Sequence, residues 1–331
     1  RQLATIRCDV PLELSIDDLA NAAPDRAALL DLYRELEFKA WLDELLAGEA
    51  DEDPAAAPQT SVERRYEIVC DGERFAHWLA QLRAADLFAF DTETTGLDYM
   101  QAQLVGVSFA VEPGAAAYVP FGHDYLGAPP QLDRAQVLDA LRPLLEDPAR
   151  AKVGQNLKYD QSVLARHGVD LRGIAYDTML ESYVLDSTGS RHDMDTLALK
   201  YLGERTIRFE DIAGKGAKQL SFNQIELERA GPYAAEDADI TLRLHQALWP
   251  SLAAQPGPRA VFEDIEMPLV PVLSRIERNG ALVDAKRLAE QSRELAEALA
   301  ELEQRAHELA GQPFNLGSPK QLGDILYVKL G

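Results

Sequence analysis

Five side chains in three short segments carry the chemistry this chain can perform. They are Asp91 and Glu93 in Phe90-Asp91-Thr92-Glu93-Thr94, Asp160 in Asn156-Leu157-Lys158-Tyr159-Asp160, and Tyr233 and Asp237 in Tyr233-Ala234-Ala235-Glu236-Asp237. The first segment follows the apolar run Leu87-Phe88-Ala89-Phe90, which reads as a buried strand, so Asp91 and Glu93 share a face at a spacing of two. The last lies in a stretch of helical character, where positions four apart share a face, so Tyr233 and Asp237 point the same way. Clustered carboxylates repel one another unless cations neutralise them, and hard divalent cations prefer carboxylate and water oxygens. Two such ions about 4 Å apart activate a water, hold a phosphate and stabilise the leaving oxygen of an in-line displacement. That chemistry is phosphodiester hydrolysis. Each segment alone has a plainer reading, as a solvated strand end, a helix-surface acid or an acidic first turn that favours the helix dipole. Folding does not require their conjunction.

The elements that must position these residues alternate between strand and helix, which implies an α/β domain from about residue 62. Asp71-Gly72 opens a helix carrying Phe75, Trp78, Leu79 and Leu82. The strand ending in Glu93, a strand over 104–111 and another over 116–119 are joined by short links, as in an antiparallel meander. Helices over 134–145 and 157–166 then alternate with strands at 152–154 and 174–176, and such crossovers make parallel neighbours. The expected fold is therefore a mixed five-stranded sheet flanked by helices, with helical N- and C-terminal extensions.

Four segments follow from composition. Residues 1–46 hold apolar positions at mostly helical spacing, and 47–61 form an acidic, proline-containing linker. Residues 62–254 form the α/β domain, and 255–331, opening on Gln255-Pro-Gly-Pro258, form a helical segment with too few apolar layers to fold alone. In that segment Ser318-Pro319 reads as an N-cap and first turn, and Leu288, Leu295, Leu299 and Leu302 are spaced for packing against a core or partner. Asp177, Asp193 and Asp195 read as helix caps, and His192 as polar packing or a nucleic-acid contact.

The net charge of -22 argues against gripping long duplex DNA through many phosphates. It leaves short nucleic-acid substrates open, because a site holding divalent cations brings its own positive charge. Cys8 and Cys70 have no metal-ligand spacing and no disulfide framework around them. No long apolar run and no basic-then-apolar leader is present, so a cytoplasmic location is expected. Arg1 in place of Met suggests a piece of a longer protein.

At these residues the chain resembles the DEDD superfamily of 3'-5' exonucleases, in the subtype with tyrosine in its third motif. It is most similar to the proofreading domains of the bacterial DNA polymerase I family (family A). The likeness covers Phe90–Leu97, Gly154–Asp160, Gly189–Asp195, Phe222-Asn223-Gln224 and Tyr233–Thr241, in the family's order. Residues 1–46 resemble the end of that family's 5'-nuclease region, and Phe314-Asn315-Leu316 through Leu326 the start of its polymerase domain.

The resemblance implies a ribonuclease H-like fold and two Mg2+ ions, with Mn2+ substituting. It implies that Asp91 bridges both ions, that Glu93 and Asp237 complete the tighter one, and that Asp160 serves the second largely through water. Tyr233, aided by Glu93, would orient the attacking water; a phenol neutral near pH 7 suits that task. Leu97 matches a residue that wedges against terminal bases, although a core position fits it equally. Gln155, Asn156, Arg191 and Phe209 match DNA contacts, and Phe209 equally suits a core. The implied substrate is a single-stranded or frayed DNA 3' end, cleaved to nucleoside 5'-monophosphates, with covalently linked 5'-nuclease and polymerase domains as partners. The polymerase's own catalytic residues are absent from these 331 residues, so polymerisation is not expected of them. Two alternatives remain: an exoribonuclease of the same superfamily, and a spacer module with weak turnover.

Overall fold

The computed structural model describes residues 24–36, 38, 41, 42, 45, 63–188 and 191–331. The expected linker at 47–61 lies outside them, as does much of the segment 1–46. The described chain opens with helix α1 (Arg26–Glu35) and continues with β1 (Arg65–Ile68), α2 (Gly72–Ala84), β2 (Leu87–Thr94), β3 (Leu104–Glu112) and β4 (Ala115–Pro120). Then come α3 (Arg134–Leu145), β5 (Ala151–Gly154), α4 (Leu157–Arg166), β6 (Ile174–Asp177), α5 (Thr178–Leu185), α6 (Met194–Leu197) and α7 (Phe209–Ala213). Helices α8 (Leu227–Ala253), α9 (Pro256–Val261), α10 (Met267–Asn279), α11 (Ala285–Ala310) and α12 (Pro319–Gly323) complete it.

The sheet has six strands in the order β1-β4-β3-β2-β5-β6, one more than expected. β2, β3 and β4 pair antiparallel, whereas β1 joins β4, and β5 and β6 join β2, in parallel. This is the mixed, helix-flanked sheet of a ribonuclease H-like α/β fold. The additional strand is β1, four residues (Arg-Tyr-Glu-Ile) at the sheet's edge. Its partner β4 lies about fifty residues further on and runs parallel, so no hairpin turn marks β1 in the sequence.

The alternation of side chains along β2 divides the core. Phe88 and Phe90 face α2, α3 and α4, packing with Trp78, Leu82, Leu141, Leu157 and Leu164. Ala89 faces the other way, into a layer where Val105, Ala116 and Val153 meet Ala230, Ala234, Ala235 and Ala238 of α8. Small residues let α8 lie close to the sheet; at Gly231 a Cβ would collide with the Ile68 side chain. Asp71 and Asp133 cap α2 and α3, accepting from Arg74 N at 2.9 Å and Gln136 N at 3.0 Å.

Two compact units are present, the first ending at Arg278 and the second comprising Asn279–Gly331. The first extends past Gln255-Pro-Gly-Pro258 because α9 and α10 pack onto it. Phe262 and Val270 are buried, Ser274 Oγ lies 2.9 Å from Ser162 Oγ, and Lys158 pairs with Glu277 at 2.5 Å. In the second unit Ser318 caps α12 as expected. The leucines at 288, 295, 299 and 302 are exposed along α11, which excludes packing in this chain's own core and leaves the partner reading. Cys70 is a free thiol, and Cys8 lies outside the described residues. Among the described residues no helix is long and apolar enough to cross a membrane.

Candidate active site

β2 runs through the middle of the sheet and carries Asp91 and Glu93 on the face that α8 covers. Its pairing with β3 continues through Glu93↔Gly106 and then slips, so the strand frays just beyond the second carboxylate. α8 brings Asp237 to the same place. One oxygen each from Asp91, Glu93 and Asp237 lies within 4.8 Å of the others, and among the described residues this is the carboxylate group able to hold a metal ion. Glu93 is buried, and its Oε1 has no hydrogen-bond partner. Such an atom demands a proton or a cation.

Asp160 arrives from the opposite side of the sheet. Thr92, between the two acids of β2, faces α4, and both its backbone N (2.9 Å) and its Oγ1 (2.6 Å) donate to Asp160 Oδ1. The site therefore straddles the end of β2, with three carboxylates on the α8 face and the fourth clamped by the intervening threonine.

Electrostatics reflect this crowding. Burial, followed by the charges of Asp160, Glu93 and Asp237, pushes the Asp91 carboxyl well above its usual range. Burial and then Asp237 and Asp160 do the same to Glu93. Asp237 is also raised by burial, although hydrogen bonding from Tyr233 opposes the shift. Asp160 is raised to about 7 by burial, against the two bonds from Thr92. The Tyr233 phenol, facing Asp237 and partly desolvated, is held far above its usual value and is neutral near pH 7. A cation in the cluster would relieve every one of these shifts.

Tyr233 is fixed by aromatic packing. Its ring lies 6.2 Å from Phe209 and 5.9 Å from Phe222, which are themselves 6.5 Å apart. Phe209 opens α7 and is half-buried, so it belongs to the core and to the site's wall together. Behind Glu93, the ring of Tyr118 occupies the space over Gly106, leaving no room for a Cβ, and its hydroxyl meets His123 Nε2 at 2.8 Å.

The other expected contacts divide. Leu97 is 93% exposed, which excludes the core reading. Its loop is held by Thr94 Oγ1 and Tyr159 Oη, which donate to Gly96 O at 3.0 and 2.6 Å. Gln155 donates to His192 O at 2.8 Å and accepts from the Thr178 hydroxyl. Asn156 has φ 62°, the one non-glycine residue with positive φ among those described. Arg191 is exposed and pairs with Asp193 at 3.1 Å. His192 Nδ1 lies 2.8 Å from Ser182 Oγ and the ring is edge-on to Tyr183, contacts that fit the polar-packing reading.

Asp193 caps α6 as expected, but Asp195 does not cap; it accepts from Thr206 Oγ1 at 2.7 Å and adds its charge to the surroundings of Asp237. The Glu236-Asp237 pair lies well inside α8, which begins at Leu227, so a first-turn dipole role is excluded. Residue type and spacing do not mark Thr92, Phe222 or Tyr118 as site residues. The alternation Asp-Thr-Glu does reveal that Thr92 must face away from the acids, but not what it meets.

Residues 66–253 match the 3'-5' exonuclease family, and residues 285–331 match DNA polymerase family A. DNA polymerase I of Pseudomonas aeruginosa is 65% identical over 334 residues, covering 100% of this chain and 37% of that protein. DNA polymerase I of Rhizobium leguminosarum is 47% identical over 283 residues, 80% of this chain and 28% of that protein. The chain thus spans about a third of the length of these relatives. The POL domain of Pol1 from M. smegmatis, solved with a DNA primer-template and dNTP, shares the fold. Its TM-score is 0.65 at 22% identity, over 80% of this chain and 41% of that one. The chain belongs to the 3'-5' exonuclease family, in the form that bacterial DNA polymerase I carries ahead of its polymerase domain.

Proposed function

We propose that this chain hydrolyses single-stranded or frayed DNA from the 3' end, releasing nucleoside 5'-monophosphates with the help of two divalent ions, Mg2+ or in its place Mn2+. The observation that carries this reading is the convergence of Asp91, Glu93 and Asp237 within 4.8 Å beside the Tyr233 phenol. The donor set fits hard cations: carboxylate oxygens only, one of them buried without a partner. Asp91, Glu93 and Asp237 would hold one ion, and Asp91 and Asp160 the second. When bound, the ions neutralise the phosphate and acidify a water.

The protein's own groups then define the direction of attack. The Tyr233 hydroxyl, neutral and beside the Asp237 carboxylate, would orient the attacking water by accepting one of its hydrogen bonds. Glu93 would aid it by accepting the other. Held by both, the water presents its own lone pair to phosphorus. A P–O bond forms and the P–O3' bond breaks; one water proton passes to solvent, and the departing 3' oxygen takes a proton from solvent and leaves as a hydroxyl. Leu97, exposed on its tethered loop, would separate the terminal bases, while Gln155, Asn156, Arg191 and Phe209 contact the strand. DNA is favoured over RNA because the similar proteins are DNA polymerases.

In the full-length protein the partners are covalent. Residues 1–46 would end a 5'-nuclease region, 47–61 link it to the exonuclease domain at 62–254, and 255–331 begin the polymerase, in the bacterial cytoplasm. The test is release of mononucleotides from a 3'-labelled single strand with Mg2+, with and without chelator. Asp91→Ala and Asp237→Ala are each expected to abolish it, and undiminished release by both variants would overturn the assignment. Matched DNA and RNA strands decide the sugar.

A further inference from the structure

We infer that Asp177 is a positioning residue for this reaction, setting Asp160 and the Gln155-Asn156 pair together through the first turn of α4; the inference rests on the nuclease reading above. Asp177 ends β6, is 1% exposed, and touches none of the converging carboxylates. Its Oδ1 accepts from Asn156 N at 3.0 Å, Met179 N at 3.0 Å and Leu180 N at 3.4 Å, and its Oδ2 from Leu157 N at 2.8 Å. One carboxylate thus caps two helices, α5 immediately after it and α4 on the neighbouring strand's connection.

For α5 this is ordinary local capping. For α4 it replaces a missing local cap. Asn156 stands at the N-cap of α4, but its backbone is left-handed and its side chain makes no cap bond. The first N–H groups of α4 therefore depend on an acceptor from β6. Asp160 lies within that same first turn, so the carboxylate that anchors the turn also fixes Asp160 against Thr92. The next residue extends the hold to the substrate side: the Thr178 hydroxyl bonds to Gln155 Oε1 and to Gly154 O. Both oxygens are needed, since asparagine offers one acceptor and would aim its amide donors at a backbone N–H.

A carboxylate that merely stabilises the fold would, when altered, lower the melting temperature and nothing else. A positioning role predicts more. In the 331-residue chain, Asp177→Asn should weaken the lower-affinity class of Mn2+, followed by electron paramagnetic resonance without substrate, by about ten-fold, the lower end for outer-shell changes. The tighter class, held by Asp91, Glu93 and Asp237, should be unchanged, and KM for a single-stranded oligonucleotide should rise. The control is Asp133→Asn, which removes the cap of α3 and should alter neither Mn2+ affinity nor KM.

All measurements are made well below each variant's melting temperature. If Asp177→Asn does not fold, Asp177→Glu carries the same test, keeping the charge and both oxygens but displacing them by one methylene. Wild-type Mn2+ affinity and KM in the folded variant overturn the inference, whatever its melting temperature. Failure of the wild-type chain to cleave at all overturns the nuclease reading instead, and the Mn2+ affinities still judge Asp177.

Discussion

Helix α8 presents acids to two surroundings. On one face Tyr233 and Asp237 look toward Asp91 and Glu93, where carboxylates crowd together and Glu93 Oε1 has no partner. On the other, Glu236, Asp239 and Arg243 join a closed network. Glu236 accepts from Arg64 at 2.8 Å and from Ile207 N at 2.6 Å, and Asp239 accepts from Tyr66 Oη at 2.8 Å and Gly114 N at 2.6 Å. Arg243 reaches both Asp239, at 3.5 Å, and Glu204, at 2.5 Å. The network face is buried and includes an arginine, whereas Asp91 and Asp237 are only partly buried and, among the described residues, meet no cation of the protein's own. Acids that the protein satisfies hold β1 and α8 together; acids that it leaves to one another could hold a cation.

The sharpest way to break this contrast is to alter one acid on each face. Asp237→Asn is expected to lower kcat by on the order of 10²–10³-fold or more, typical of removing a charge from a reacting centre, without loss of melting temperature in metal-free protein. Asp239→Ala should do the reverse. It strands Tyr66, Gly114 N and part of the Arg243 charge, costing about 3 kcal/mol in urea unfolding, while single-strand cleavage at low temperature persists. Equal stability losses in the two variants would erase the distinction.

Tyr233→Phe tests a smaller effect. It keeps the packing against Phe209 and Phe222 and removes the hydroxyl, so kcat should fall about ten-fold with Mn2+ binding unchanged. A parallel loss of Mn2+ affinity would make the phenol part of the metal-binding shell.

The smallest expected effect is on pH dependence. A carboxyl whose folded value is raised, as Asp160 is from 3.8 to about 7, binds its proton more tightly in the folded chain. Its contribution to stability is full below the ordinary value and is lost as pH rises through the folded one. Metal-free protein should therefore melt a few degrees lower at pH 8 than at pH 5.5. Mn2+ should raise the melting temperature more at pH 8, where it no longer competes with protons, and Asp237→Asn should flatten both trends in calorimetry.

Much of this was legible in the sequence, because strand alternation and helical spacing are local properties. They place Asp91 with Glu93 and Tyr233 with Asp237 without knowledge of the rest of the fold. What the sequence hid depends on segments far apart. The tie from Thr92 to Asp160 spans 68 residues, and the double cap at Asp177 reaches back 21 residues to Asn156. Strand β1 has too short a pattern to announce itself and is recruited by β4. Asp195 looked like a cap because Asp is the usual residue before a helix, yet Asp193 already fills that place. Leu97 suits core or surface by type alone, and it is the tertiary tether of its loop, Tyr159 to Gly96, that accompanies its exposure.

The straddling of β2 makes the site a matter of parity. Side chains from the two faces of a sheet meet only past a strand's end, and only if the count of residues leading there is right. Adding or removing one residue between Leu87 and Asp91 would swap the acids and Thr92 between faces, turning the carboxylates toward α4 and the threonine toward α8. Substitutions along this strand can be graded in their effect. A change in its length is all or none, so the spacing of these few residues is a stricter requirement than the identity of those that precede them.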